Sequence, residues 1–505
     1  MHCEIKLRLL HRCMKMNEVK RQHVAAIFIN AAKGLFQLAV PFAIVAFFQG
    51  LLWLFFLALA GLILVSIGFS WLSWYKFRYS LEEGELYVEQ GVFVKKKRYI
   101  QKKRVQAINI SAGVLQRIFG LVKVNIDTAG GGMEAEAELV AVTKKEADSI
   151  RTLLLKEPRA ATQPNGEEED MNDEGEPLDE IEQTPRTVWQ LGKRRLVYTA
   201  LTSSSVGLVL SAVIALLSQT AQFIPDSIYE DTFETVVSLS MLLLIGMAIV
   251  VLILSWFISS IITIVTYGNF HIETYDKEMV IQRGLLEKRQ LTLAYSRITA
   301  IRVIRSVIRQ PFGFVSVYVE SAGGGNNNEQ GSTLLVPLIH KRDLQGFLET
   351  VVPDYAIDTP LTAAPARAAR RFFIRMLIIP VLLTAAAVYF WGWIGSLGLI
   401  VIAVASILAW FQYKDAGAGA EGEFVWLRYR TIGQSLIISR KRKIQSIAKQ
   451  VSWLQKRKEL ATFELHVQSS MAGKSFAVKD ISHDTSHELY KWYSYQESHD
   501  STRKV

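Results

Sequence analysis

Long apolar runs and strand-like alternating runs take turns along this chain, and they do so in the same order three times. Six segments, at 25 to 48, 51 to 72, 196 to 218, 236 to 266, 372 to 391 and 394 to 413, are long and apolar enough to cross a bilayer, which takes about 20 residues. They come in pairs. After each pair the period changes to that of strands and turns, as in Glu85-Leu86-Tyr87-Val88-Glu89 and Val92-Phe93-Val94 on either side of Gly91.

The alternating stretches are copies of one another, and a fixed period of this kind signals a repeat architecture. Val105-Gln106-Ala107-Ile108, Leu115 and Phe119-Gly120 return as Ile298-Thr299-Ala300-Ile301, Ile308 and Phe312-Gly313, a shift of 298 − 105 = 193. Gly91 and Gly284 share that shift, as do Thr128-Ala129-Gly130 and Ser321-Ala322-Gly323. A further shift of 444 − 298 = 146 gives Ile444-Gln445-Ser446-Ile447 and Leu454. The third copy is the most diverged, with Arg430 in place of the turn glycine and Lys458-Glu459 in place of Phe-Gly.

Each module ends in a helix signal. Thr143-Lys144-Lys145-Glu146 forms a capping box ahead of Ile150 and Leu153-Leu154, and helices are expected near 341 to 352 and 484 to 497. Strands followed by one helix make an α+β module. The organisation expected is a basic leader over 1–24, then transmembrane hairpin 25–72 with module 74–156, hairpin 196–266 with module 267–352, and hairpin 372–413 with module 414–497. Residues 157–186, rich in acids such as Glu167-Glu168-Glu169-Asp170, read as a disordered tether, and 353–366, with three prolines, as a shorter linker.

Composition fits lipid burial: the 505 residues are 50% hydrophobic and 21% charged. Between the partners of each apolar pair there is no Lys or Arg, whereas Lys15, Lys20, Arg21, Lys76, Arg78, Lys193 to Arg195, Arg367, Arg370, Arg371 and Arg375 flank the outer ends. The positive-inside rule then puts modules and termini in the cytoplasm. Residues 1 to 24 lack the apolar core of a signal peptide, and Met16 is an alternative start to Met1. Cys3 and Cys13 both lie in this leader and indicate neither a disulfide framework nor a zinc site.

No catalytic or cofactor motif is present, so the chain reads as a non-enzyme. Gly130 to Gly132 and Gly323 to Gly325 lack the Gly-Lys-Ser/Thr ending of a phosphate loop and read as turns. His483 and His487 share a helix spacing without a third ligand, so no metal is expected. The chemistry on offer is basic: Lys95, Lys96, Lys97 and Arg98 with Lys102, Lys103 and Arg104, and Arg440, Lys441, Arg442 and Lys443. These are the candidate contacts to anionic lipid or to a partner. A net charge of +10 could also serve nucleic acid, but aromatic residues are too sparse beside the lysines for a stacking platform. The apolar segments are almost free of Asp, Glu, Arg and His, which leaves Lys33, Gln37, Pro41 and Pro380 as thin material for a transport path.

The strings Glu89-Gln90-Gly91-Val92, Arg104-Val105-Gln106-Ala107-Ile108 and Leu115-Gln116-Arg117-Ile118-Phe119-Gly120, each in order behind a helix pair, resemble the bacterial pleckstrin-homology-like membrane proteins of the YdbT type. The resemblance implies a small antiparallel sheet or barrel closed by one helix in each module. It also implies a non-enzymatic role in the bacterial plasma membrane without a cofactor, with a YdbS-like membrane partner or further copies of the chain, in resistance to membrane-active bacteriocins. A transporter component and an envelope-stress sensor or scaffold are the alternatives.

Overall fold

The computed structural model describes residues 19–35, 52–82, 85–128, 137–155, 185–203, 205–221, 241–321, 332–355, 361–469 and 473–494. The first repeat opens with α1 (Ala25–Leu35) and α2 (Leu52–Lys76). Strands β1 (Arg78–Glu82), β2 (Glu85–Gln90), β3 (Lys96–Gln101) and β4 (Val105–Ala112) follow, then α3 (Val114–Ile118), β5 (Leu121–Thr128), β6 (Ala137–Thr143) and α4 (Lys144–Leu155). The second repeat is preceded by β7 (Thr187–Gln190) and α5 (Lys193–Leu201). It runs through α6 (Val206–Ala221), α7 (Met241–Tyr267), β8 (His271–Thr274), β9 (Glu278–Arg283), β10 (Lys288–Ala294), β11 (Ile298–Arg305), β12 (Phe314–Ser321), β13 (Ser332–His340) and α8 (Leu344–Val351). The third has β14 (Thr362–Ala363), α9 (Ala369–Trp391), α10 (Gly398–Asp415), β15 (Gly417–Glu421), β16 (Phe424–Arg430), β17 (Gln434–Arg440) and β18 (Ile444–Gln450). It closes with α11 (Trp453–Lys456), β19 (Leu460–Val467), β20 (Lys474–Ser482) and α12 (His483–Tyr493).

The six spans expected from the sequence reduce, among the described residues, to three long apolar helices: Phe56–Lys76, Ile245–Tyr267 and Ala366–Asp415. The third contains α9 and α10, which fold back on each other through the turn Gly392–Leu397, where Gly398 meets the Thr384 side chain. The expected span at 196 to 218 is interrupted. Its first part, α5, carries Lys193, Arg194 and Arg195 and docks on the second repeat: Arg195 pairs with Asp343 at 3.1 Å, and the buried Arg309 donates to Thr202 Oγ1 at 3.1 Å. Only α6 retains the apolar character of a span, because the sequence beyond the break has no charge to place. Of the span at 25 to 48, residues 36 to 48 lie outside the described residues. So do the leader to residue 18, residues 157–184 of the acidic tether, and both glycine triplets.

The strands follow their sequence period. In β5, Leu121, Val124 and Ile126 are buried: Val124 and Ile126 meet Leu86, Val88, Ile100, Ile108 and Leu139 in one core with Ile150 and Leu154 of α4, while Leu121 packs with Ala141 and with Ala25, Ala26 and Ile29 of α1. The capping box forms, with Glu146 accepting from the Thr143 N–H at 3.2 Å and Thr143 Oγ1 accepting from the Glu146 N–H at 3.3 Å. Gly91 (φ +118°) and Gly284 (φ +106°) take a turn conformation closed to other residues, since a Cβ at either would collide with the carbonyl of Val94 or Glu287.

Contacts divide the chain into two compact units, and the division falls inside the second repeat, between Leu293 and Ala294. The first unit holds a three-stranded sheet, β1-β2-β3, and a seven-stranded sheet in the order β6-β5-β4-β10-β9-β8-β7. The second holds a seven-stranded sheet, β13-β12-β11-β17-β16-β15-β14, and a three-stranded sheet, β18-β19-β20. In each unit, then, the second half of one repeat is sewn edge to edge to the first half of the next. The two seams have the same register: Lys288 faces Ala112 and Gln434 faces Arg305, and 112 + 193 = 305 while 288 + 146 = 434. Bulges recur in step as well, at Val105/Ala107, Ile298/Ala300 and Ile444/Ser446. Because a one-residue slip would turn every side chain to the other face, this agreement marks a specified junction.

Candidate membrane-facing surface and basic clusters

In all three repeats the turn between the second and third strands rides on the end of the preceding apolar helix. In the first, Lys76 at the end of α2 donates from Nζ to the Val92 carbonyl at 2.7 Å, and the Phe93 ring lies 6.4 Å from that of Phe69. Phe69 is seven residues before the helix end, about 10 Å along the axis. Phe93 is 89% exposed, so an apolar ring stands uncovered beside a helix long enough to span a membrane. In the second, Gly284 N–H bonds the Gly268 carbonyl at 2.7 Å and Leu285 N–H bonds the Val265 carbonyl at 2.9 Å, leaving Leu286 exposed. Gly268 is required there, because a Cβ would meet the Leu285 side chain.

The third repeat reaches the same arrangement by other chemistry. Arg430, buried where the other repeats have glycine, donates to Asp415 Oδ2 at the end of α10 and lies over the Phe411 ring. Gln434 donates to the other Asp415 oxygen at 2.7 Å, and Ile432 at the tip is 70% exposed. The lost Phe-Gly pair is likewise compensated: Glu459 adopts φ +49°, close to Gly120 (+66°) and Gly313 (+68°), and pairs with Arg367 at 3.1 Å.

A second apolar tip lies beside each seam. Arg117 on α3 donates to the carbonyls of Leu285 and Leu286, which brings exposed Ile118 and Phe119 next to the turn of the second repeat. In the other unit Gly433 packs against the backbone of Arg305 and Ser306, just ahead of exposed Val307 and Ile308. Within each unit, then, one apolar helix end, one strand turn and the seam lie side by side, with apolar tips exposed beside them. Contiguous apolar exposure of this kind marks a membrane or protein contact.

The basic residues singled out from sequence fare differently. Lys95, Lys96 and Lys97 are exposed along the start of β3, directly after the Phe93-Val94 tip, with Lys97 beside the Tyr87 hydroxyl and Arg98 half-buried. Lys102 and Arg104 continue the run through a 3-10 turn that also contains Lys103. By contrast, Arg440 to Lys443 are engaged within their own unit. Arg440 pairs with Asp354 at 3.2 Å and lies over the Tyr355 and Phe424 rings, Lys441 donates to the Trp492 carbonyl at 2.5 Å, and Arg442 pairs with Glu423 at 2.9 Å. Lys443 donates to the Ser296 carbonyl, and burial, with Arg297 and Arg440 nearby, lowers its pKa. That cluster fastens strands together; the one on β3 faces outward.

Charged groups unnoticed in the sequence are buried within the modules. Glu320, fully buried, accepts from Ser332 and pairs with Arg302 at 3.3 Å and Lys474 at 3.1 Å. Its counterpart in the first repeat is Asp127 (320 − 193 = 127), whose pKa burial pushes up to about 6. Asp480, also buried, accepts from Arg371 at 2.8 Å and Arg375 at 2.9 Å, tying the start of α9 to the third module. His483 and His487 stack with ring centroids 6.4 Å apart, and His483 faces Lys449.

Comparison with known proteins agrees with the triplication. The bacterial PH domain family matches residues 31–158, 212–352 and 374–497. The transmembrane protein YdbT of Bacillus subtilis (strain 168) is 33% identical over 493 residues, covering 96% of this chain and 99% of that protein. No solved structure matches.

Proposed function

Because the chain belongs to the bacterial PH domain family, with three copies in one membrane protein, we propose that it is a non-enzymatic membrane scaffold that lays its PH modules on the lipid surface and assembles there with a membrane partner. The observation that carries this reading is the uncovered Phe93 beside Phe69 of a span-length helix, immediately followed by Lys95-Lys96-Lys97. An apolar tip buried at the headgroup boundary with lysines at headgroup level is the arrangement by which peripheral segments bind anionic membranes, each lysine contributing about 1 kcal/mol. The modules would lie on the cytoplasmic side of a bacterial plasma membrane, and defence against membrane-active bacteriocins is the role in which such a scaffold would act.

The test uses the full chain in nanodiscs of phosphatidylcholine, with or without phosphatidylglycerol. Amide hydrogen exchange over residues 91–104 should slow when the anionic lipid is present and recover when Lys95, Lys96 and Lys97 are changed to Ala. Identical exchange in the two lipids would contradict the lipid contact.

A further inference from the structure

Two seams use four strands of one type of junction, and the same repeat leaves two such strands at sheet edges. Within the seams, β10 and β17 supply one side and β4 and β11 the other. By repeat position β3 is the counterpart of β10 and β17, and β18 is the counterpart of β4 and β11. Among the described residues both are edges: β3 ends the sheet β1-β2-β3, and β18 ends the sheet β18-β19-β20, with Gln445, Ser446 and Gln450 exposed along it. An open edge pairs with any strand that fits unless something prevents it.

A third seam in the same register would set 288 − 193 = 95 against 305 + 146 = 451, and so Lys96 against Gln450, Arg98 against Ala448 and Ile100 against Ser446. It would also set Lys97 against Lys449. The two existing seams hold Gln290 with Ile110 and Leu436 with Val303 in that slot, with no like-charge pair. Like charges directly opposite are destabilising, and lysine on an edge is a standard device against strand addition. The basic run on β3 is therefore suited to keep one copy of this chain from docking on another, while β18 carries a single charge, Lys449, and is an unpaired edge among the described residues.

We propose that β18 is the acceptor edge for another membrane protein that presents a PH-type strand with a neutral edge, added antiparallel in the register of the two internal seams. The lysines of β3 exclude a second copy of this chain from that place. This rests on the assembly reading above and names the partner's chemistry: a strand like Gln290-Leu291-Thr292-Leu293 or Ser435-Leu436-Ile437-Ile438, without lysine opposite Lys449.

The test makes the chain itself into that partner. In full-length protein with Cys3→Ser and Cys13→Ser, Lys96→Ser and Lys97→Leu give β3 the residues that β17 carries at the same repeat positions. Arg98→Cys with Ala448→Cys then reports the register, since directly opposed Cα atoms lie within disulfide reach and those two residues out do not. In neutral detergent this variant should form disulfide-linked dimers at least five-fold more readily than the same cysteines on the native β3 edge, and than a control with Arg98→Cys and Ser446→Cys. Lys449→Glu with native β3 supplies an independent route, since it turns the repulsive pair attractive, and it should raise association as well.

Absence of in-register dimers from both variants that elute and melt like the parent would overturn the proposal, as would equal cross-linking of the native edge or of the out-of-register control. The detergent carries no anionic headgroup, so failure here leaves the lipid reading standing, and success here survives failure of the nanodisc experiment.

Discussion

The Arg430 guanidinium meets the Asp415 carboxylate at 2.5 Å, and the pair occupies the place where the first two repeats rely on a glycine turn. One solution uses backbone freedom and the other a nearly buried ion pair, yet both fix a strand turn to the end of an apolar helix. Removing only Arg430 leaves a poorly solvated carboxylate with Gln434 as its remaining donor. Arg430→Met should therefore lower stability by about 3 kcal/mol, and the double change with Asp415→Leu should recover much of it. Thermal unfolding of the detergent-solubilised protein measures both.

The glycine solution makes a separate prediction. Gly284→Ala forces a Cβ into the Glu287 carbonyl at φ +106° and should cost about 2 kcal/mol or more. Gly246→Ala, in open space on α7, should change the melting midpoint little.

Asp127 should make the first unit sensitive to pH. Its pKa is near 6 when folded, against an ordinary 3.8, because burial disfavours the charge. The folded state then holds the proton more tightly than the unfolded one, so stability falls as pH rises from about 4 to about 6 and stays reduced above that. Asp127→Asn should gain roughly 1 to 2 kcal/mol at pH 7.5, after allowance for partial exposure, and almost nothing at pH 4. Melting curves at the two pH values check the sign.

Asp480 has φ +60°, a conformation that asparagine shares, so Asp480→Asn keeps the backbone and the shape while removing the charge that Arg371 and Arg375 share. The loss should be about 3 kcal/mol. The start of α9 should become more open to limited proteolysis at Arg371 and Arg375.

Much of this architecture was legible in the sequence, because period and spacing report on faces and turns. Gly91 and Gly284 marked two hairpins, Thr143 and Glu146 marked a helix start, and the shifts of 193 and 146 marked the repeats. Alternation does not say which strand lies beside which, so nothing announced that β4 would pair with β10 or β11 with β17. Charge runs were ambiguous for a related reason. Arg440 and Lys443 look like Lys95 and Lys97 in sequence, but carboxylates and carbonyls supplied from distant segments, at Asp354 and Ser296, engage the former. Hydropathy averaged over 196 to 218 merged α5 with α6, although Arg195 and Tyr198 belong to a docked helix; the stacking of Tyr198 on Phe314 had no local signal.

The most direct test of the central claim is the depth of the three turn tips. In a single-cysteine background, an environment-sensitive fluorophore placed at Phe93→Cys, Leu286→Cys, Ile432→Cys or, as a control, exposed Lys145→Cys is exposed to spin-labelled lipid in nanodiscs. Strong quenching at the three tips and weak quenching at residue 145 is the result expected of modules seated on the membrane; equally weak quenching at all four would contradict it.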